Sequence, residues 1–117
     1  MHQKMRVYMT TIQAGELWIA NIPFTNNVDS KKRPVLILWL DGNDAIVAVV
    51  TSARPRTKTD VSLQDWATSG LRVPSTVRLA RLDCLEKSLL IAKIGVVSKL
   101  DAIKLKNIWN SEIKLQF

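Results

Sequence analysis

The chain has 117 residues, with seventeen Lys and Arg against ten Asp and Glu, for a net charge of +7. At 47% hydrophobic residues, with only four Gly and four Pro, it is neither disordered nor collagen-like, and it holds enough apolar material for one core. Its longest apolar runs, Val35–Leu40 and Ala45–Val50, are strand-sized and far short of the roughly 20 residues of a membrane-spanning helix. The lone Cys84 and lone His2 cannot build an internal disulfide or a zinc site. No metal or cofactor is therefore expected, and Cys84 reads as a small buried hydrophobe. The first residues contain no apolar stretch of signal-peptide length. We expect a soluble cytoplasmic domain over 15–117 behind a polar N-terminal tail, 1–14. The cationic excess favours anionic partners, nucleic acid or an acidic protein, over a membrane surface.

Gly15-Glu16-Leu17-Trp18-Ile19-Ala20 opens the first strand. The segment from Asn21 to Arg33, rich in Asn, Asp, Ser and Lys, reads as a long connecting loop. Val35–Leu40 and Ala45–Val50 flank the turn signal Asp41-Gly42-Asn43-Asp44, which predicts an antiparallel hairpin. Both runs are apolar at nearly every position, so both faces of the sheet should be covered. A basic loop, Thr51–Lys58, follows, then a short alternating strand, Asp60–Leu63. Trp66–Gly70 suits one helical turn closed by glycine. Ser75–Ala80 alternates again, placing Thr76, Arg78 and Ala80 on one face; Asp83–Ala92 fits strand and helix equally. Ser98 caps a final helix with Asp101 completing a capping-box pattern, and Ala102, Leu105, Ile108 and Trp109 share its apolar face. Trp18, Trp39, Trp66 and Trp109 sit among apolar neighbours and read as core rather than as base-stacking platforms.

There is no Gly-rich phosphate loop, nucleophile elbow, paired acidic motif or internal histidine. The available chemistry is that of Arg, Lys, Ser and Thr, which suits phosphodiester transfer without metal, because the arginine fork matches phosphate oxygens. Two places bring such groups to buried strand ends: Lys31-Lys32-Arg33-Pro34 before one strand and Thr51-Ser52-Ala53-Arg54 after the next. Each taken singly also fits a plainer role, a solvated basic loop guarding a sheet edge and a hydroxyl turn. The hairpin makes them neighbours, and that proximity favours a site. Arg78 and Arg81 fit simple exposure as well as a role there.

Gly15-Glu16-Leu17-Trp18, Lys32-Arg33-Pro34-Val35-Leu36-Ile37 and Ala45–Ser52 resemble, in order and spacing, signatures of the MazF/PemK/Kid toxins. Asp60-Val61-Ser62-Leu63, Gly70-Leu71, Pro74-Ser75, Leu85–Leu89 and Lys93-Ile94-Gly95 continue the resemblance. It implies a mainly β fold, a small SH3-like barrel with short helical turns and a C-terminal helix, usually as a homodimer. It further implies a metal-independent endoribonuclease of single-stranded RNA, part of a type II toxin–antitoxin system and silenced by an acidic antitoxin. In that family the arginine of Lys-Arg-Pro and the threonine after the third strand are implicated in catalysis; here they are Arg33 and Thr51. RNA contacts are expected from Lys31, Lys32, Ser52, Arg54, Arg56, Lys58 and Arg78, with the Asn21–Ser30 loop reading bases. Two departures stand out: Ala80 occupies the place of an aspartate found in some members, and the first long loop lacks a histidine some carry. The general base is thus unassigned, Asp83 and Glu16 being the candidates to replace it. Two other readings remain, a gyrase poison like the related CcdB toxins and a catalytically silent binder of RNA or antitoxin.

Overall fold

The apolar runs become central strands of one antiparallel sheet. The computed structural model describes residues 11–23 and 29–117. It contains β1 (Glu16–Pro23), β2 (Ser30–Asp41), β3 (Asp44–Thr51), β4 (Asp60–Ser62), β5 (Thr76–Glu86), β6 (Leu90–Val96) and α1 (Lys99–Glu112). The strands lie in the order β4-β5-β3-β2-β1-β6. The mainly β class with a C-terminal helix is as expected, although β4 and β6 do not pair to close a barrel. Instead, the turn after β4 meets β6. Gly70 is there in the left-handed region (φ +97), and a Cβ on it would strike the Ile94 carbonyl; one on Gly95 would strike the Ser69 carbonyl. Only glycine permits this approach, and it brings the two edges of the sheet together beside β6.

Successive residues on the central strands point to opposite faces, and both faces are buried. Leu17, Leu36, Ala48 and Val50 join Val61, Val77, Leu79 and Leu105 in one cluster. Trp18, Val35, Ile37, Ala45 and Val47 join Leu85 and Leu90 in the other. The coverage predicted for both hairpin strands therefore holds over Val35–Ile37 and for Ala45, Val47, Ala48 and Val50, but not at the end of β2, where Trp39 is 44% exposed and Leu40 is exposed. Of the four tryptophans only Trp18 is buried; Trp39 stands edge-on to Trp109, with ring centroids 5.9 Å apart. Cys84 is exposed as well, correcting the buried assignment. It lies on β5 beyond an irregularity opposite Ala48 and Val49, where alternation no longer predicts the buried face.

The long first loop also needs correction. β1 runs on to Pro23 and β2 begins at Ser30, with Asn21 opposite Lys32 and Ile22 opposite Lys31. Strand pairing uses backbone groups, which polar residues supply as well as apolar ones do; hydropathy reported burial and missed the pairing. Residues 1–10, most of the anticipated tail, and 24–28, half of the anticipated base-reading loop, lie outside the described residues. Asp83–Ala92 resolves into the end of β5, a 3-10 turn at Lys87–Leu89 and the start of β6. Ser98 caps α1 by accepting the Asp101 N–H (3.1 Å). The reciprocal half of the capping box does not form. The buried Asp101 carboxylate accepts the Gln64 and Asp65 N–H groups instead, both at 2.9 Å, tying α1 to the turn after β4.

Candidate functional site

The register of the hairpin places the two predicted catalytic residues together. Val35 pairs with Val49; two residues further out on each strand stand Arg33 and Thr51. Both line a cleft of about 670 Å³, together with Lys31, Lys32 and Ser52. Arg33 and Thr51 are half-buried, whereas Lys31, Lys32 and Ser52 are exposed. The Thr51 hydroxyl accepts the Ala53 N–H at 3.1 Å. That bond orients the oxygen and leaves its own proton available to a ligand. Arg33 sits between Ala20 of β1 and the β3 end, so its backbone is fixed by strands while its guanidinium edges the cleft.

The other side of the cleft comes from the 70–75 segment and from β6, which contribute Arg72, Ser75 and Lys93. None of these three was singled out from the sequence. Arg72 and Lys93 are separated from the hairpin by long stretches of chain, and the close approaches of Gly70 to Ile94 and of Gly95 to Ser69 bring their segments together. The nearest available signals are the Pro74-Ser75 and Lys93-Ile94-Gly95 blocks, which carry the resemblance and no site role.

The remaining predicted RNA contacts lie elsewhere. Arg54, Arg56 and Lys58 are exposed on the loop after β3, and none lines the cleft. Arg78 also stands outside it, with its Nε 3.4 Å from Asp60 Oδ1. Asp60 Oδ2 accepts the Arg56 N–H at 2.9 Å, so one carboxylate ties the basic loop to β5. Burial opposes ionisation of Asp60, but the Arg56 N–H and the Arg78 charge outweigh it and hold the carboxyl below its ordinary range.

Neither candidate base enters the cleft. Asp83 pairs with Val47, well toward the turn end of the hairpin, and accepts the Cys84 N–H. Cys84 is correspondingly unsuited to nucleophilic work. Desolvation, and then the neighbouring Asp44, Asp41 and Asp83, push its thiol up. Glu16 is buried, and its carboxylate is taken up by Gln13, Trp18 and Lys93. Among the described residues, the cleft walls carry cations and hydroxyls but no carboxylate or imidazole. Such a surface binds phosphate and stabilises charge on its oxygens.

The family model of PemK-like, MazF-like toxins of type II toxin–antitoxin systems matches residues 13–110. The chain belongs to that family. An endoribonuclease from Mycobacterial species has the same fold, with a TM-score of 0.71 over 94% of this chain and 98% of that one at 16% identity. A chain of the MazE–MazF complex (form II) of Deinococcus radiodurans matches at 0.67, 19% identical, over 86% of this chain and 91% of that one. The Mycobacterium tuberculosis toxin MazF-mt6 is 25% identical, with a TM-score of 0.62 over 80% of this chain and 93% of that one. No curated protein sequence matches the chain significantly. Among the described residues, no helix is long and apolar enough to cross a membrane.

Proposed function

We propose that this PemK/MazF-like chain is the toxin of a type II toxin–antitoxin pair, cutting single-stranded RNA as a metal-independent endoribonuclease. The observation that carries the reading is that Arg33 and Thr51 line one cationic cleft at the open end of the hairpin. A ribose 2′-hydroxyl attacks the adjacent phosphorus, the bond to the 5′-oxygen breaks, and the products are a 2′,3′-cyclic phosphate and a 5′-hydroxyl. The proton of the attacking hydroxyl passes to water, and the departing 5′-oxygen takes one from water. Arg33 stabilises the negative charge that builds on the phosphorane oxygens. Thr51 donates to the phosphate and holds it in line for attack. Lys31 and Lys32 add affinity that falls with salt; Arg54, Arg56 and Lys58 extend the cationic track beyond the cleft.

An acidic antitoxin segment complements the same surface and excludes RNA from it. A homodimer is part of this reading, and the exposed apolar side chains Trp39, Leu82, Leu115 and Phe117 offer it surface. We place the protein in the cytoplasm, where mRNA is available to it. The test is to incubate purified protein with long, mixed-sequence single-stranded RNA in EDTA and map the 5′ ends, with Arg33→Ala alongside. Discrete cuts at one short motif, missing with Arg33→Ala, establish the activity. Intact RNA with folded protein overturns it in favour of a gyrase-type poison or a silent binder.

A further inference from the structure

We infer that Lys93, held by the buried carboxylate of Glu16, is a second phosphate-binding point in the cleft, engaging the phosphodiester next to the one at Arg33 and Thr51. The inference rests on the endoribonuclease reading and adds a residue pair to it.

Glu16 is the first residue of β1, and its side chain is 6% exposed. A carboxylate removed from water to that extent must be fully bonded. Its Oε1 accepts the Trp18 indole N–H and the Gln13 backbone N–H, both at 3.0 Å. Its Oε2 faces Lys93 Nζ at 3.0 Å. Burial works against the charged form, but these donors prevail and hold Glu16 below the ordinary glutamate range. The carboxylate is thus a fixed anion with a single task left at its outer oxygen.

Lys93 is 43% exposed and lines the cleft. An ammonium has three donors; one is used on Glu16, and the others face solvent or a ligand. A lysine with no partner loses most of its rotamer freedom when it grips a phosphate. Here folding has already restricted the stem. Arg72 lines the same side without a carboxylate partner among the described residues. Lys93 is therefore the cation on that side whose position is fixed before RNA arrives.

The sheet register sets its distance from the reacting centre. Trp18 of β1 lies opposite Lys93 on one side and opposite Val35 of β2 on the other. Two strand spacings, about 10 Å, thus separate β6 from the strand bearing Arg33. Because the Glu16 carboxylate holds the Lys93 ammonium, that separation of the two strands suits neighbouring phosphates of one RNA strand.

The experiment uses a short RNA containing the mapped cut site, and the same RNA with a 2′-deoxy nucleotide at the cut so that it binds uncleaved. We expect Lys93→Ala to raise KM and the Kd of the uncut RNA about tenfold. Its kcat should stay within about threefold of wild type, and the slope of log affinity against log salt should flatten by about 0.7, one phosphate's share on a single strand. Lys93→Arg should restore all of these. Glu16→Gln keeps an acceptor for Trp18 and Gln13 but turns an amide NH₂ toward the ammonium, so it should raise KM with little change in kcat. Added to Lys93→Ala it should raise KM no further. That double variant also removes the unpaired buried charge, keeping binding separate from folding, which thermal melts monitor. Lys114→Ala, an exposed lysine outside the cleft, controls for net charge. Wild-type KM, Kd and salt slope in Lys93→Ala, with the wild-type enzyme cutting normally, would overturn this inference alone; so would a loss confined to kcat. A wild-type protein that cuts no RNA removes the endoribonuclease reading first.

Discussion

The two ends of the β2–β3 hairpin share strands, sheet and core, yet their chemistry is opposite. At the open end stand Lys31, Lys32, Arg33, Thr51 and Ser52, all lining the cleft. At the turn end stand Asp41 and Asp44, with Asp83 and Glu86 opposite β3 on β5, and the exposed Trp39 and Leu40. The buried residues between them explain stability at both ends equally, so stability does not account for the segregation. The proposed phosphate binding does account for it, because it requires cations only at the open end. The sharpest way to break the contrast is Arg33→Ala. Losing a group that stabilises charge on the reacting phosphate should lower kcat by about 10² to 10³, read by single-turnover cleavage. Cys84→Ser at the other end should leave turnover unchanged; a matching loss there would end the distinction between the two ends.

Half of the cleft was legible in the sequence, and the reason is local. Arg33 and Thr51 are brought together by one tight hairpin whose turn signal, Asp41-Gly42-Asn43-Asp44, is plain, and Gly42 adopts φ +60 there. The opposite side depends on Gly70 and Gly95 letting a turn and an edge strand approach, a contact between distant segments that periodicity does not report. The apolar run likewise placed Val47 inside and alternation placed Val77 there, whereas reading the lone Cys84 as a small buried hydrophobe failed, past the irregularity in β5. The capping box at Ser98 was half legible. Its backbone half forms, but Asp101 goes to Gln64 and Asp65, partners that only tertiary structure supplies.

A finer contrast at the open end is Thr51→Val against Thr51→Ser. Valine keeps the shape but loses both the proton offered to the phosphate and the acceptor that holds the Ala53 N–H. We expect kcat to fall about 10- to 100-fold in Thr51→Val, the range for a lost positioning contact near a reacting group. Thr51→Ser should stay within a few-fold. Equal losses in both would assign the role to the β-branched shape rather than to the hydroxyl. At the turn end the effect should fall on stability instead. Trp39→Ala deletes the edge-on contact with Trp109 and should lower unfolding free energy by about 1 kcal/mol, measured by urea melts, with cleavage unaffected.

The smallest effect expected comes from acid. Asp60 and Glu16, which hold Arg78 and Lys93, both have pKa values lowered by folding despite their burial. Such groups bind fewer protons folded than unfolded, so they stabilise the fold above their unfolded values near 4 and lose that contribution as pH falls through the lower folded values. The melting temperature should therefore be level from pH 7 to about 5 and then decline. Asp60→Asn removes one of the two contributors: its melting temperature should be lower at pH 7 and decline less steeply below pH 5. If Asp60→Asn runs parallel to wild type instead, the carboxylate is not holding the basic loop to β5, and Arg54, Arg56 and Lys58 lose their anchored position.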